Sequence, residues 1–216
     1  MKRSLIIVAL LSLLTNLPLL GAEVRVTHEY KKGEPSLVHA VGTIQGQPDD
    51  VWEQMIRFNH YASFMPRVID CFFITQEGIT VIQNAGTRNA SRLRSLAQPF
   101  KVEGNRKKGG LWSGFVFMVI DTPFPVENRW YVLKVEQDET KAASHTFKRC
   151  WSLVDGNIEA AQGCWQVQPD TKEGQSLLTY QDHVNPGKKI PEWIARLGAT
   201  KTVPEMFESL EKVAKK

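Results

Sequence analysis

The stretch Pro48-Asp49-Asp50-Val51-Trp52-Glu53-Gln54-Met55-Ile56, followed ten residues later by Pro66-Arg67-Val68, decides how this chain folds. An early proline and two acids near the positive end of the helix dipole are a helix start signal. Val51, Trp52, Met55, Ile56 and Phe58 then recur at helical spacing and mark one apolar face. The pattern fails near Asn59 and His60, and a second short turn carrying Tyr61 and Phe64 ends at Pro66. From Arg67 onward the period changes from helical to extended.

Working outward, the segments on either side read as strands. Upstream, 23–30 and 37–45 are β-rich and flank the turn Lys32-Gly33-Glu34-Pro35. Downstream, 68–76 and 79–84 read as a hairpin around Glu77-Gly78. The stretch 112–120 and the segments 130–136, 145–154, 160–168 and 177–184 make five strands separated by turn residues such as Asp155-Gly156-Asn157 and Lys172-Glu173-Gly174. Between them, 87–110 has no clear period beyond a helical turn at 91–96. Pro191 opens another helical turn, and 203–215 is amphipathic, with Met206, Phe207, Leu210 and Val213 on one face. Strands with helices segregated to particular places predict an α+β fold. A long curved antiparallel sheet must bury one face, and the last helix is its natural cover.

Ahead of this domain, Lys2 and Arg3 precede the apolar run Leu5–Leu11, which continues to Leu20 and ends at Gly21-Ala22. This reads as a secretory signal peptide over 1–22, with the mature protein beginning close to Glu23 in the periplasm or outside the cell. Asn16 and Pro18 interrupt the run and argue against an uncleaved anchor, which needs about 20 apolar residues. No internal repeat or low-complexity linker divides 23–216, so a single domain is expected.

The chain carries a net charge of +4, and loss of Lys2 and Arg3 with the leader brings it closer to neutral. Global charge therefore gives no argument for nucleic acid. Locally, 87–110 holds Arg88, Arg92, Arg94, Lys101, Arg106, Lys107 and Lys108 against the single acid Glu103. A solvated face and a surface that approaches anionic lipid headgroups or an acidic partner both fit that excess.

The three cysteines are too few for a disulfide scaffold, and their spacing matches no zinc motif. Strand parity puts Cys150 and Cys164 on the polar face of neighbouring strands, where a cross-strand disulfide is feasible. A simple hairpin centred on Gly156 would place Gln162 opposite Cys150, so the pairing needs a bulge or a longer loop. Three unpaired thiols are the alternative. With the bridge formed, Cys71 is a buried free thiol.

Parity also proposes which side chains line the interior. It groups Phe147, Arg149, Trp151 and Leu153 with His145, then Ala161, Gly163, Trp165 and Val167, then Leu178, Tyr180, Asp182 and Val184. The aromatics are either plain core or the wall of a ligand cavity. Arg149 and Asp182 are either a structural ion pair or a polar anchor at the bottom of a cavity, because a charge on an inward face must be paired or solvated. Trp112, Arg129, Trp193 and Phe207 complete the set of candidate ligand-binding residues. No Gly-x-Ser-x-Gly elbow is present, and His28, His39, His60, His145 and His183 form no motif. The residues assign no catalytic group, metal or cofactor.

The order of these motifs resembles the START-like helix-grip proteins, the superfamily that also holds polyketide cyclases, coenzyme-Q-binding proteins and pollen allergens. The resemblance rests on the Pro-Asp-Asp-Val-Trp helix and Phe64-Met65-Pro66-Arg67-Val68 entering the next strand. It rests also on the Pro-rich loop Asp121–Arg129 and the junction Val184–Trp193. It covers about residues 36–214 and leaves 87–110 unmatched. It implies a helix-grip fold with a hydrophobic cavity between sheet and C-terminal helix, used for lipids, sterols, quinones or polyketides, and for Arg129 an inward or loop-fixing role. Three classes stay open on the sequence: a monomeric carrier of a lipid or other hydrophobic small molecule, a cavity enzyme of the cyclase type, and an envelope interaction module with a filled core.

Overall fold

In the computed structural model, the structure describes residues 23–29, 36–103, 109–185, 187 and 191–215. The proposed signal peptide over 1–22 lies outside the described residues, as do Arg106, Lys107 and Lys108 of the basic segment.

Eight strands form one antiparallel sheet. In chain order they are β1 (Glu23–Glu29), β2 (Ser36–Gln45), β3 (Val68–Ile74), β4 (Gly110–Ile120), β5 (Arg129–Glu139), β6 (Phe147–Gly156), β7 (Ala160–Pro169) and β8 (Gln175–Asn185). Their order across the sheet is β1-β2-β8-β7-β6-β5-β4-β3, so a meander from β3 to β8 is closed by the early strand β2. The helix α1 (Pro48–Ile56) carries Pro48 in its first turn, as the sequence predicts, and buries Val51, Trp52, Met55 and Ile56. A 3₁₀ turn, Phe58–Ser63, follows it. The chain ends in α4 (Glu192–Leu197), a π-helical turn over Gly198–Thr202, and α5 (Val203–Ala214). α5 lays Phe207 and Leu210, both fully buried, against the concave face. This is the α+β helix-grip arrangement that the sequence predicts.

Two sequence expectations change. The segment 79–84, read as the second strand of a hairpin, belongs to the helix α2 (Gln76–Gln83). Thr75 caps it, its Oγ1 accepting from the Gly78 amide at 3.2 Å. The alternation of Ile79 and Val81 imitates a strand, but Ile79 and Ile82, three apart, are the residues that bury. Gly78 does not serve a turn: a Cβ there would lie 2.5 Å from Phe100 and 2.7 Å from Ile74, so its absence lets α2 dock. The strand read as 145–154 starts instead at Phe147. His145, in the left-handed conformation with φ 52°, ends a 3₁₀ turn before it.

The helical turn expected at 91–96 is the centre of α3 (Ala90–Ala97), capped by Asn89, whose Oδ1 accepts from the Arg92 amide at 3.0 Å. Together α2 and α3 cover the convex side of β3–β5. Ile79, Ile82 and Leu93 pack there against Phe72, Phe117 and Trp130. The sheet is therefore buried on both faces at this end, and the main core occupies its concave side.

Cys150 and Cys164 are directly opposed in the β6–β7 register and form a disulfide, with Cα atoms 4.0 Å apart. The longer loop that this register needs is present. β6 and β7 pair only from Phe147↔Val167 to Ser152↔Gln162, and beyond Ser152 the strand β6 pairs with β5 alone, past an irregularity at Val132/Leu133. Cys71 is buried and unbridged.

Candidate ligand cavity

Between the concave sheet, the 3₁₀ turn after α1 and the C-terminal helices lies a cavity of about 230 Å³. Its wall is mostly apolar and aromatic. Met118, Leu133, Val135 and Ala161 come from the sheet, Phe58 and Met65 from the segment after α1, and Met206 from α5. That composition, with a few converging polar groups, is typical of small-molecule sites.

An aromatic stack forms one side. Phe207 of α5 lies with its ring centroid 5.1 Å from Trp165, which lies 4.6 Å from Tyr180, and Trp151 stacks on Tyr180 at 5.9 Å. The placement of Trp151 depends on Gly163, its direct partner on β7. A Cβ on Gly163 would lie 2.4 Å from the indole and 2.2 Å from the Gln181 carbonyl oxygen.

Arg149, almost wholly buried, is one of two cationic side chains at the cavity, the other being Arg67. Its guanidinium donates to the Met55 carbonyl, in the last turn of α1, and to the Tyr61 hydroxyl, which itself donates to Met55. It also sits 4.7 Å from the Phe58 ring centroid and 5.7 Å from that of Tyr61. A cation at carbonyls exposed by a helix C-terminus, stacked on aromatic faces, is a favourable arrangement without any carboxylate. Burial raises the Tyr61 hydroxyl above its ordinary value, partly offset by Arg149.

Asp182 projects into the cavity from β8, beside Tyr180 and across Gly163 from Trp151. Burial lifts its carboxyl to about 6, against the opposing pull of the Tyr180 hydroxyl, the Trp151 indole and His183. Its Oδ1 is sealed from solvent and takes no hydrogen bond. Burial, then the neighbouring Asp182 charge, pushes the Tyr180 hydroxyl well up, and the same two causes raise Tyr131. No ion pair links Arg149 to Asp182 among the described residues, so the structural pair that the sequence allowed is not formed.

Of the ten candidate residues, the cavity brings together Arg149, Trp151, Trp165, Tyr180 and Asp182. Phe207 backs the wall through Trp165. The other four lie away from it. Phe147 stacks on Trp52 at 5.2 Å, Trp112 meets the edge of Phe73 at 5.2 Å, Arg129 stands at the start of β5 with its Nε unbonded, and Trp193 is half-exposed on α4. Sequence reading missed Phe58, Tyr61, Met118, Tyr131 and Met206. Phe58, Tyr61 and Met206 carried a usable signal, because all three stood on apolar helical faces. Tyr131 did not, because both faces of β5 are apolar. No group of three or more His, Cys, Asp or Glu residues capable of holding a metal occurs among the described residues.

In the basic segment, Arg88 pairs with Asp155 at 2.7 Å and lies 5.4 Å from the Trp130 ring centroid. Arg94 pairs with Asp70 at 2.5 Å and Lys101 with Glu103 at 2.6 Å. Arg92 has no carboxylate partner among the described residues.

No protein-family model matches the sequence, and neither does any curated protein. Solved structures do match. A STAR-related lipid transfer protein from Xanthomonas axonopodis is similar over 89% of this chain and 94% of its own, with a TM-score of 0.62 at 16% identity. The lipid transfer and protein localization domain of human StarD13 is similar over 89% and 84%, with a TM-score of 0.58 at 11% identity. The Zhui aromatase/cyclase from a Streptomyces species is similar over 83% and 93%, with a TM-score of 0.53 at 12% identity. The chain thus has the START-like helix-grip fold that these neighbours share. What passes between them at such identities is the fold, since one fold hosts many functions.

Proposed function

We propose that this protein is an exported, non-catalytic carrier of a lipid or other small hydrophobic molecule, held in the cavity between the sheet and α5. The observation that carries the reading is the cavity itself: about 230 Å³ of space between the sheet and the C-terminal helices, lined mostly by apolar and aromatic side chains. A concave, mostly apolar cleft with a few polar groups is what small-molecule sites look like, whereas an interaction module would have its core filled. The neighbours named for lipid transfer support the same reading.

Export is supported by two independent features, the leader-like segment 1–22 and the Cys150–Cys164 disulfide, since disulfides persist mainly in oxidising compartments. The basic segment 87–110 serves in this reading as the surface that meets anionic headgroups. Arg92, Arg106, Lys107 and Lys108 carry that role, because Arg88, Arg94 and Lys101 are engaged by carboxylates.

Native mass spectrometry of protein purified from its own host tests the central claim. A mass excess that organic solvent removes is the expected result. Protein that arrives at its bare mass, and takes up no apolar probe when offered one, overturns the reading.

A further inference from the structure

Arg149 holds more donors than the fold uses. Both of its hydrogen bonds, to the Met55 carbonyl and to the Tyr61 hydroxyl, leave from Nη1. A guanidinium carries five N–H groups, so Nε and Nη2 keep three. Neither nitrogen has an acceptor among the described residues, and neither is sealed within the packing as the Arg129 Nε and the Gln137 amide are. Arg149 lines the cavity, so this edge of the guanidinium is open to whatever occupies it.

No carboxylate of the protein comes to it. Its register partners on β5 and β7 are Gln137 and Trp165, neither charged. The Cys71 thiol on β3 feels the guanidinium, but burial raises it well above its ordinary value and keeps it neutral. The carboxyls inside the fold are engaged elsewhere. Glu139 accepts from the Trp52 indole at 2.6 Å and from the Gly109 amide, and Glu211 accepts from the Gln45 amide at 3.3 Å and from Lys215 at 2.6 Å. Asp182 is held by Tyr180, Trp151 and His183, and Arg149 is not among the groups that act on it. A buried cation without a counter-charge is costly unless something solvates or neutralises it. The other cation at the cavity, Arg67, already has Asp121 at 3.6 Å.

The cavity's dimensions limit what can bring that charge. Its volume of about 230 Å³ is below the roughly 300–1,000 Å³ of sites for drug-sized ligands, so it suits one chain rather than two. From the row of Arg149 and Gln137 it runs along β5 past Val135 and Leu133 to Tyr131, six residues from Gln137 or about 20 Å. We infer that the Nε–Nη2 edge of Arg149 binds the carboxylate of a single-chain amphiphile, a fatty acid in chemical class, whose chain lies along that apolar track. The inference rests on the carrier reading above. The planar guanidinium edge matches the two oxygens of a carboxylate, and it supplies the counter-charge where water screens least. A methyl ester of the same chain brings acceptors without charge. An amine brings a second cation.

The test compares decanoate, methyl decanoate and decylamine at pH 7.5 by calorimetry on the full-length protein. Wild type is expected to bind decanoate about tenfold or more tightly than methyl decanoate, with decylamine weakest. In Arg149→Met the acid-to-ester ratio is expected to collapse toward one. Arg149→Lys keeps the charge without the fork and should retain only part of the preference. Should the Met variant fail to fold, the wild type decides the matter by NMR: the Arg149 Nε–H resonance is expected to move further with decanoate than with methyl decanoate. Equal binding of acid and ester by wild type, a ratio that survives Arg149→Met, or an Nε–H resonance that responds alike to both overturns the inference while leaving the carrier reading intact. Failure of all three probes to bind overturns the carrier reading, and this inference with it.

Discussion

Trp151 lies across the bare backbone of Gly163, so close that a methyl group on the glycine would stand 2.4 Å from the indole and 2.2 Å from the carbonyl oxygen of Gln181. The missing side chain is what lets the indole lean over β7 toward Asp182 and Tyr180. Gly163→Ala is therefore expected to destabilise the fold by about 2 kcal/mol or more, since one clashing partner is backbone and cannot rotate away. Ligand occupancy should fall with it. Urea unfolding of the variant that matches wild type would show this contact to be unimportant.

Phe207 is fully buried and backs Trp165 from α5. Phe207→Ala is expected to cost about 3–5 kcal/mol. It should also change which apolar probes bind, because Trp165 loses its support and the cavity gains volume. A loss of stability with no change in probe selectivity would mean that Trp165 is held by other contacts.

Asp182 gives the protein a pH signature. Burial raises its carboxyl from 3.8 to about 6, so the folded state holds this proton more tightly than the unfolded chain does. Its contribution to stability is fully present below about pH 4 and is lost as the pH rises through 6. Asp182→Asn should therefore be more stable than wild type at pH 8, by at most about 3 kcal/mol, and the advantage should vanish near pH 4. Denaturant melts of both proteins at the two pH values decide it. A difference independent of pH would show that the Asp182 carboxyl titrates alike in folded and unfolded chain.

The disulfide closes a loop with a sequence separation of 14, for which the chain-entropy account gives about 3 kcal/mol. Cys150→Ser with Cys164→Ser should lower stability by roughly that amount. Non-reducing peptide mapping should recover a linked 150–164 peptide, with Cys71 alkylated only after unfolding. Alkylation of all three thiols in unreduced, unfolded protein would contradict the pairing.

For the basic segment, replacing Arg92, Arg106, Lys107 and Lys108 with Ala should weaken binding to anionic vesicles, and added salt should weaken wild-type binding, because exposed charges are screened. Replacing Arg88, Arg94 and Lys101, which pair with Asp155, Asp70 and Glu103, should matter less. Equal wild-type binding to neutral and anionic vesicles at low salt would exclude the membrane role.

Much of this fold is written in local sequence. The helix from Pro48, the alternation along β6, β7 and β8, and the amphipathic final helix each follow from a period that one buried face imposes, and they placed Arg149, Trp151, Trp165, Tyr180 and Asp182 on a common side. What lacked such a period could not be read. Ile79 to Gln83 alternates like a strand, yet folds as a helix because Gly78 lets it dock on Ile74 and Phe100. Tyr131 and Trp130 sit on a strand apolar on both faces, and only the presence of α2 and α3 on one side distinguishes core from cavity wall. The register that joins Cys150 to Cys164 depends on where β6 leaves β7. Last, sequence placed Arg149 and Asp182 on one face but could not say whether they pair. Three-dimensional packing answered that: the carbonyl end of α1 and the Tyr61 hydroxyl claim the guanidinium, and the carboxylate is left facing the cavity.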